Sequence, residues 1–240
     1  MLLTFLGTRA TIDARSRRHR RHSALLLASG ATRIMIDCGL DWAGRLPRIA
    51  PDAIFVTHAH PDHAWGPKNG AECPVYATAE AWAALSDCPV ADRRRREPRQ
   101  PVTLGAATFE AFPVVHSVCV PAVGYRIGSD RRSLFYVPDV VDIVDRKEAL
   151  AGLDLFVGDG VTLTRPLVRR RSGALFGHTT VRAQLGWCAA AGVEWAVFTH
   201  CGTDLVTMDG RSAAAQVRAL GRERGVAAEI AHDGIEIELG

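Results

Sequence analysis

The chain has 240 residues, of which 48% are hydrophobic and 23% are charged, as expected of a globular protein with a buried core. Its formal net charge is +3, and no apolar run approaches the ~18 residues that would predict a membrane span. The six cysteines form no CxxC pair, so neither a zinc knuckle nor a dithiol redox motif is indicated. The N-terminus has no basic flank and no small-residue cleavage site, and the absence of a signal peptide predicts a cytoplasmic protein.

Short apolar runs bounded by turn residues predict the strands. In chain order they are Leu2 to Leu6, Ala24 to Ala28, Arg33 to Ile36, Ala53 to Val56, Thr108 to Phe112, Ala122 to Arg126, Ser133 to Val137, Leu155 to Val157 and Trp195 to Phe198. Helical patterns lie between these runs, at Thr78 to Leu85, Val144 to Leu150, Val181 to Ala191 and Arg211 to Arg224. The tail from Ala227 to Glu238 predicts a closing hairpin with its turn at Asp233-Gly234.

Strands and helices alternate through both halves of the chain, and no linker or repeat separates domains. Two sheets that are covered by helices on their outer faces would bury all of the apolar runs. The sequence therefore predicts one α/β domain over residues 1–240, built as a four-layer αββα sandwich.

Arginine is unevenly distributed along the chain. Residues 1–50 contain nine arginines against three aspartates, and two further runs are Arg93-Arg94-Arg95-Arg96 and Arg169-Arg170-Arg171. Charge runs usually mark solvated loops, and this interpretation is favoured for the first run, which lies far from any motif. The other two groups flank motifs, where they could contact an anionic substrate.

The segment Thr57-His58-Ala59-His60-Pro61-Asp62-His63 follows an apolar strand. His58 and His60 would project to the same side of an extended segment, and the proline suits the first turn of a helix that presents Asp62 and His63. Three imidazoles and a carboxylate within six residues are a ligand set that suits zinc. Packing gains nothing from so many polar groups, so the cluster indicates a metal site.

This segment resembles the HxHxDH motif of the metallo-β-lactamase superfamily, and matches to the family's other ligands follow in the family's order. They are Asp37 in Ile36-Asp37-Cys38-Gly39, His116 in Val114-Val115-His116-Ser117, Asp139 in Val137-Pro138-Asp139 and His200 in Phe198-Thr199-His200-Cys201. The resemblance runs from Leu2 through His200 and implies the metallo-β-lactamase fold.

The resemblance also implies two divalent metal ions, with zinc favoured over manganese. The implied ligands are His58, His60 and His116 for one ion, Asp62, His63 and His200 for the other, and Asp139 as the bridge between them. Asp37 would accept a ring N–H from a liganding histidine and so fix its tautomer. Such a metal pair would share a water and lower its pKa, so that a metal-bridged hydroxide would carry out hydrolysis. Asp62 would contribute to catalysis as a ligand of one of these ions.

The segment Phe176-Gly177-His178-Thr179-Thr180 resembles a motif of ribonuclease Z and of small phosphodiesterases related to it. In that subgroup the histidine lies over the substrate phosphoryl group and an acidic residue lies upstream, a position that Asp159 matches. Asp159 would keep His178 protonated, and a cationic His178 would stabilise the transition state or protonate the leaving oxygen. The alternative role for His178 is packing at the start of a helix.

The predicted activity is hydrolysis of a small phosphodiester or a substrate similar to a cyclic nucleotide. The arginines expected to bind its phosphate are Arg17, Arg18, Arg169, Arg170 and Arg171. The chain lacks the long arm of ribonuclease Z and the N-terminal cysteines of the cyclic phosphodiesterase of the carbon–phosphorus lyase pathway, another member of this subgroup. It therefore resembles the subgroup in its chemistry without these accessory parts.

Several alternatives stay open. A lactonase or thioesterase would use the same metals, and an endonuclease that processes the 3′ end of transfer RNA would use the same chemistry on nucleic acid. An iron oxygenase would usually lack part of the second ligand set, and a non-catalytic nucleic-acid binder would leave that set unexplained. A homodimer is compatible with the sequence, and no membrane partner is predicted.

Overall fold

The computed structural model describes residues 1–129 and 131–240, which form two large sheets, a separate hairpin and short helices. The first sheet contains β1 (Leu2–Gly7), β2 (Ala24–Ser29), β3 (Thr32–Ile36), β4 (Ala53–Phe55), β5 (Val75–Ala77), β6 (Arg93–Arg95) and β17 (Glu236–Glu238). Its strand order is β17-β1-β2-β3-β4-β5-β6. The pairing is antiparallel from β17 to β3 and parallel from β3 to β6.

The second sheet contains β7 (Val102–Leu104), β8 (Ala107–Val115), β9 (Ala122–Gly128), β10 (Ser133–Tyr136), β11 (Asp142–Ile143), β12 (Leu155–Asp159), β15 (Trp195–Thr199) and β16 (Ala227–Ile230). Its order is β11-β8-β9-β10-β12-β15-β16, and β7 also pairs with β8. The separate hairpin consists of β13 (Leu167–Arg171) and β14 (Ala174–His178).

Seven α-helices connect or cover the strands. They are α1 (Leu46–Ile49), α2 (Pro61–Ala64), α3 (Ala79–Ala84), α4 (Arg146–Ala149), α5 (Val181–Ala191), α6 (Thr203–Thr207) and α7 (Gly210–Arg222) within the described residues. Helix α5 has the predicted bounds, because the Thr180 side chain accepts from the N–H of Ala183 and Gly192 takes a left-handed φ of 72° after the last turn. In the part of the chain that is described, no helix is long and apolar enough to cross a membrane.

The four-layer sandwich follows from alternation along strands that are buried on both faces. In β2, Leu25 and Leu27 point into the core between the two sheets, while Leu26 points to the outer face beneath α1 and α3. In β12, Val157 faces the same central core and Phe156 faces α5 and α7. Strands covered on both sides read as continuous apolar runs, which is why the sequence predicts them well.

The tail differs from the predicted closing hairpin. β16 pairs in parallel with β15 in the second sheet, whereas β17 pairs antiparallel with β1 in the first sheet. The chain therefore crosses between the sheets through Asp233 and Gly234, and each strand extends an edge that would otherwise be open. Turn residues predicted the bend, but they could not indicate that the two strands join different sheets.

Two elements with many arginines also differ from expectation. Arg93–Arg95 form an exposed strand at the edge of the first sheet, where a solvated loop was predicted. Charged side chains on an edge strand discourage pairing with other chains, which accounts for arginine there. Arg169–Arg171 belong to β13, and the hairpin of β13 and β14 was not predicted because neither strand shows an alternation of apolar and polar residues.

Candidate metal centre

Most of the candidate site residues follow the carboxyl ends of strands. Asp37 follows β3, His116 follows β8 and His200 follows β15, each within one residue of the last strand position. Asp159 is the last residue of β12, and His178 is the last residue of β14. These strand ends meet at one edge of the sandwich, so residues that are distant in sequence converge there.

The segment from His58 to His63 joins β4 to helix α2. His60 precedes the helix in extended conformation, and Pro61 is its first residue, a position where the missing N–H costs nothing. Asp62 and His63 lie in this single turn, and both are buried, as is His58. The helix turn expected from the proline is therefore present.

Three imidazole nitrogens and one carboxylate oxygen meet in a first cluster. His60 Nδ1 lies 2.9 Å from His58 Nε2 and 3.3 Å from His116 Nε2. Asp139 Oδ2 lies 3.2 Å from His58 Nε2 and 3.7 Å from His116 Nε2. Donor atoms on a tetrahedral ion with bonds of about 2.0–2.1 Å are separated by roughly 3.3 Å, so this spacing fits a single metal ion.

A second cluster consists of Asp62, His63 and His200. Asp62 Oδ2 lies 3.3 Å from His63 Nε2 and 3.8 Å from His200 Nε2. Asp139 faces this cluster too, with Oδ2 2.9 Å from His63 Nε2 and Oδ1 2.9 Å from His200 Nε2. Asp139 thus lies between the two clusters, where a bridging carboxylate would lie.

The hydrogen bonding of these atoms is incomplete in a way that suits metal ions. His63 Nε2 and Asp139 Oδ1 are buried without a hydrogen-bond partner among the described residues. Although His63 Nε2 is only 2.9 Å from Asp139 Oδ2, the two are not aligned for a hydrogen bond. Proximity without alignment is expected of two ligands that share one ion, because each directs its lone pair at the ion and away from the other ligand.

The charge of the site also favours bound cations. Four buried carboxylates lie here, those of Asp37, Asp62, Asp139 and Asp159. Within the described ranges, the only basic groups at ion-pair distance from these carboxylates are histidines. Buried negative charge without a counterion is strongly unfavourable. Imidazole nitrogens with carboxylate oxygens are the donors that zinc accepts, so the residues fit divalent metal ions.

Protonation of the imidazoles follows their surroundings. Burial lowers the pKa of His58 well below its ordinary value and lowers the pKa of His116 to about 4, so both rings are neutral and can donate a lone pair. Burial alone would also lower the pKa of His63, but the neighbouring carboxylates, Asp62 foremost, outweigh it and raise that pKa. The second cluster therefore attracts positive charge.

Asp37 supports two of the imidazoles at once. Its Oδ2 accepts a hydrogen bond from His63 Nδ1 at 2.7 Å, and its Oδ1 accepts from the Thr57 hydroxyl at 2.9 Å. Thr57 Oγ1 in turn lies 3.0 Å from His58 Nδ1 and accepts that ring N–H. In both rings Nδ1 is thereby hydrogen-bonded and Nε2 is the nitrogen that faces the clusters, while the supporting role of Asp37 toward a bound metal stays a prediction.

His178 lies beside the two clusters and is hydrogen-bonded to Asp159. Its Nδ1 donates to Asp159 Oδ2 at 2.8 Å and is 3.6 Å from Asp139 Oδ1. Burial opposes the protonated form, but the adjacent Asp159 carboxylate outweighs it and raises the pKa of His178 to about 9. The Asp159 carboxylate therefore favours the protonated form of the ring.

Asp159 is fixed by several further hydrogen bonds. Its Oδ2 also accepts from the backbone N–H of Val140 at 3.0 Å, and its Oδ1 accepts from that of Val161 at 2.8 Å. The buried Gln184 side chain bonds both the N–H and the carbonyl of Asp159, at 2.8 and 2.7 Å. Asp139, Asp159 and His178 are close enough to hold an ion, and the role of Asp159 in positioning His178 stays a prediction.

Backbone strain occurs at two of the site residues. Asp37 has a φ of 61° and His200 has a φ of 53°, a region that residues with a Cβ rarely adopt. Such strain persists where the surrounding structure fixes it, and it is common at functional sites.

The predicted arginines lie outside the two clusters. Arg17 is exposed, and the side chain of Arg18 lies against Gly210 at the start of α7. Their loop is anchored next to the site, because Ala10 N–H donates to the carbonyl of Cys201, which follows His200. Arg169, Arg170 and Arg171 are exposed on the hairpin that ends in His178. Phosphate binding by these five residues stays a prediction.

Three supporting residues were not predicted from the sequence. Thr57 and Gln184 bond Asp37 and Asp159, and the carbonyl of Gly177 lies 3.1 Å from His116 Nδ1, where it accepts the ring N–H. Thr57 could have been suspected because it precedes His58 directly. Gln184 gives no signal, because its partner lies 25 residues away in another element.

Residues 32–201 match the beta-lactamase superfamily domain. Ribonuclease Z of Bradyrhizobium diazoefficiens is 42% identical over 69 residues, which are 27% of this chain and 22% of that protein, so this match spans less than a quarter of the relative. Ribonuclease Z of Mycobacterium bovis is 26% identical over 244 residues, covering 82% of this chain and 85% of the relative. The structure is also similar to a diphosphatase from the PhnP family, with a TM-score of 0.75, 24% identity and coverage of 99% of this chain and 96% of the other.

The structural likeness concerns the fold, and it agrees with the two sheets and outer helices described above. The family match spans most of the chain and includes every residue of the two clusters. The chain therefore belongs to the beta-lactamase superfamily, with the metallo-β-lactamase fold and a relationship to ribonuclease Z.

Proposed function

We propose that this protein is a phosphodiesterase that uses two divalent metal ions to hydrolyse a small phosphodiester or a nucleotide-like substrate. The observation that carries the proposal is the hydrogen-bonded pair of His178 and Asp159 next to Asp139. A phosphodiester carries negative charge before the reaction as well as in the transition state, whereas a neutral ester or a lactone develops it only in the transition state, so a fixed cation favours binding of the phosphodiester. The relatives named ribonuclease Z and the neighbour named a diphosphatase support phosphorus chemistry.

The metal ligands in this proposal are the members of the two clusters, with Asp139 shared. The five imidazoles favour zinc over manganese, because manganese prefers oxygen donors. Bound ions would supply Lewis-acid chemistry, lowering the pKa of a water and neutralising charge on the phosphoryl oxygens.

The chain's own residues have separate tasks. His178 binds a phosphoryl oxygen or donates its proton to the leaving oxygen, since a protonated imidazole can do either. Asp159 holds the ring through Nδ1, so that Nε2 is the atom from which the proton leaves. Asp37 and Thr57 orient His63 and His58 and keep their tautomers fixed.

The test compares three substrate classes at equal metal occupancy. Metal analysis of protein prepared without chelator should give close to two ions per chain. Turnover of bis-p-nitrophenyl phosphate should exceed turnover of a simple lactone and of a thioester. His63→Ala should weaken the second site selectively. Faster turnover of the lactone or thioester would favour the alternative hydrolases, and a tightly bound second ion in His63→Ala would remove His63 from the ligand set.

A second candidate is endonucleolytic cleavage at an RNA 3′ end. It is favoured by the match to Mycobacterium bovis ribonuclease Z over 82% of this chain. Against it, the described residues include no long arm, since the projecting hairpin spans only residues 167–178. Rates on cyclic mononucleotides, dinucleotides and an RNA with a 3′ extension decide between the two, and a marked preference for the RNA would establish the second candidate.

A further inference from the structure

The hairpin of β13 and β14 stands apart from both sheets. Its strands pair only with each other among the described residues, and its turn is Ser172-Gly173, with φ values of 48° and 84°. Two successive residues with positive φ are typical of the tight turns that match the twist of a hairpin. The hairpin is therefore a regular two-stranded arm and not an irregular loop.

The base of this arm is fixed to the candidate metal centre. The N–H of Gly177 donates to the carbonyl of His116 at 2.8 Å, and His116 Nδ1 lies 3.1 Å from the carbonyl of Gly177. Thr179 N–H donates to the carbonyl of Val140 at 2.8 Å, just beyond Asp139. The position of the arm is thus coupled to two of the candidate ligands.

The pairing register decides which arginines share a face with His178. Opposite residues of an antiparallel pair lie on the same face, and alternate residues along a strand share that face. The pairs are Leu167 with His178, Arg169 with Phe176 and Arg171 with Ala174. Arg169 and Arg171 therefore lie on the face of His178, and Arg170 lies on the opposite face.

The His178 face is the face toward the metal centre. The His178 ring lies 5.1 Å from the His116 ring and 5.9 Å from the His200 ring, between centroids. With a rise of about 3.4 Å per residue, Arg169 lies roughly 7 Å and Arg171 roughly 14 Å farther along the arm than His178. Both backbone positions therefore lie farther along the arm than the phosphoryl group that His178 would bind.

The two arginines on this face are also free of partners within the described ranges. Ion pairs are formed by other arginines, such as Arg99 and Arg132, but neither Arg169 nor Arg171 has a carboxylate at ion-pair distance. Arg170 instead donates to the carbonyl of Gly173 at 2.9 Å, within its own turn. Two exposed, unpaired guanidinium groups on one face form a platform for an anion.

We infer that Arg169 and Arg171, and not Arg170, determine specificity by binding a second phosphate group of the substrate, separate from the phosphoryl group at the metal centre. The inference rests on the proposed phosphodiesterase function and adds to it a requirement for a substrate with two phosphates. The second phosphate could be a terminal phosphomonoester or the next link of a nucleotide chain, and both present the same oxygens to a guanidinium group.

The experiment uses chromogenic substrates that share one leaving group. They are the p-nitrophenyl ester of thymidine 5′-monophosphate, the same ester with a 3′-phosphate, and the same ester extended by one nucleotide at the 3′ position. The kcat/KM of each phosphorylated or extended substrate is divided by that of the parent ester, for the metal-loaded wild type and for Arg169→Gln, Arg171→Gln and Arg170→Gln. Calorimetric binding of thymidine 3′,5′-bisphosphate and of thymidine 5′-monophosphate gives a readout that needs no turnover.

The wild type should favour at least one substrate with a second phosphate, and the ratio should fall as salt is added. Arg169→Gln and Arg171→Gln should each reduce the ratio about two- to five-fold, mainly through KM, as expected for an exposed ion pair. Arg170→Gln should keep the wild-type ratio. Whichever probe shows the preference identifies the source of the second phosphate.

The inference would be overturned if the wild type had the same kcat/KM on the parent ester as on the phosphorylated and extended substrates. Equal losses of the ratio in all three variants would also overturn it, and either result would leave the phosphodiesterase proposal intact. Failure to hydrolyse the parent ester together with rapid turnover of a lactone would instead overturn the proposed function. The two failures are therefore distinguishable in one set of measurements.

Discussion

At the scale of single residues, the surroundings of each histidine decide its chemistry. Burial outweighs the nearby Asp139 carboxylate at His116 and lowers its pKa to about 4, whereas His178 bonds the Asp159 carboxylate and its pKa rises to about 9. The first ring can donate a lone pair to a metal, and the second carries a proton that it can give to a leaving group. Two histidines whose rings are 5.1 Å apart thus suit opposite tasks.

This contrast predicts the behaviour of His178→Ala. The variant should keep both metal ions and its fold, because His178 belongs to neither ligand cluster. Its turnover should fall by about 10²–10⁴-fold, the range for a lost general acid, with the largest loss on substrates that have a poor alkoxide leaving group. Steady-state rates on an alkyl ester and on a p-nitrophenyl ester, with metal analysis of the same preparations, provide the test.

Asp159→Asn is a second variant for this experiment. It should show a weaker form of the same pattern, because it removes the charge that keeps His178 protonated but leaves the ring in place. Loss of a metal ion in His178→Ala would make His178 a ligand. Equal losses on good and poor leaving groups would exclude a role as proton donor.

The convergence of the seven candidate ligands could be anticipated from the motif and the order of the later matches, while their metal-binding role stays a prediction. What supports them could not be anticipated. Thr57 bonds Asp37 through an orientation that only the folded chain defines, and the Gly177 carbonyl reaches His116 from 61 residues away. Backbone carbonyls carry no sequence signature, so the groups that hydrogen-bond to the ligands cannot be identified from the sequence.

At the scale of elements, strands buried on both faces were the most predictable. β2 and β12 read as continuous apolar runs, and helix α5 had both of its capping residues in the sequence. The hairpin of β13 and β14 was missed because its apolar residues and its arginines stand in separate blocks, so no alternation marks its strands. The pairing partner of β16 was also missed, since local turn residues do not specify a sheet.

Gly177 links the hairpin of β13 and β14 to the candidate metal centre, so a substitution there should disturb both. Its φ is 109°, and a Cβ there would approach the carbonyl oxygen of Leu167 to 2.1 Å. Gly177→Ala should therefore shift the base of the hairpin and displace the carbonyl that holds the His116 ring. Metal affinity at the first cluster should fall about 10- to 100-fold, as for other lost supports of a ligand. Competitive titration with a chromogenic zinc chelator measures it.

Gly186→Ala is the control for that variant. Gly186 lies inside α5 with no atom near the position of a Cβ, so alanine should stabilise the fold by up to about 1 kcal/mol and leave metal affinity unchanged. If Gly177→Ala binds zinc as tightly as Gly186→Ala does, the hairpin does not position His116.

At the scale of the whole molecule, a buried network joins the first strand, the arginine-containing loop and the tail. The hydroxyl of Thr8 donates to Asp233 Oδ1 at 2.8 Å, and its oxygen accepts from His19 Nδ1 at 2.8 Å. Asp233 Oδ2 also accepts from the backbone N–H of Arg20 at 2.9 Å. The crossing between the sheets that replaces the predicted hairpin therefore also fixes the loop that begins beside His200.

This network predicts how stability depends on pH. Burial, helped by the nearby charge of Arg18, lowers the pKa of His19 to about 4, so His19 is neutral in the folded protein. The unfolded chain has the ordinary value of about 6.5 and takes up a proton first as pH falls. His19 therefore contributes stability above pH 6.5 that is lost progressively down to about pH 4, and the loss reaches about 2 kcal/mol by pH 5.

The comparison of wild type with His19→Gln isolates this effect, because acid release of metal ions is common to both proteins. Glutamine can still donate to Thr8 but does not titrate, so the stability of the wild type relative to the variant should fall by about 2 kcal/mol between pH 8 and pH 5. Urea unfolding at the two pH values, with metal supplied in both, measures the difference. A stability gap that stays constant between pH 8 and pH 5 would show that His19 does not titrate differently on folding, and a gap that widens would reverse the sign of its pKa shift.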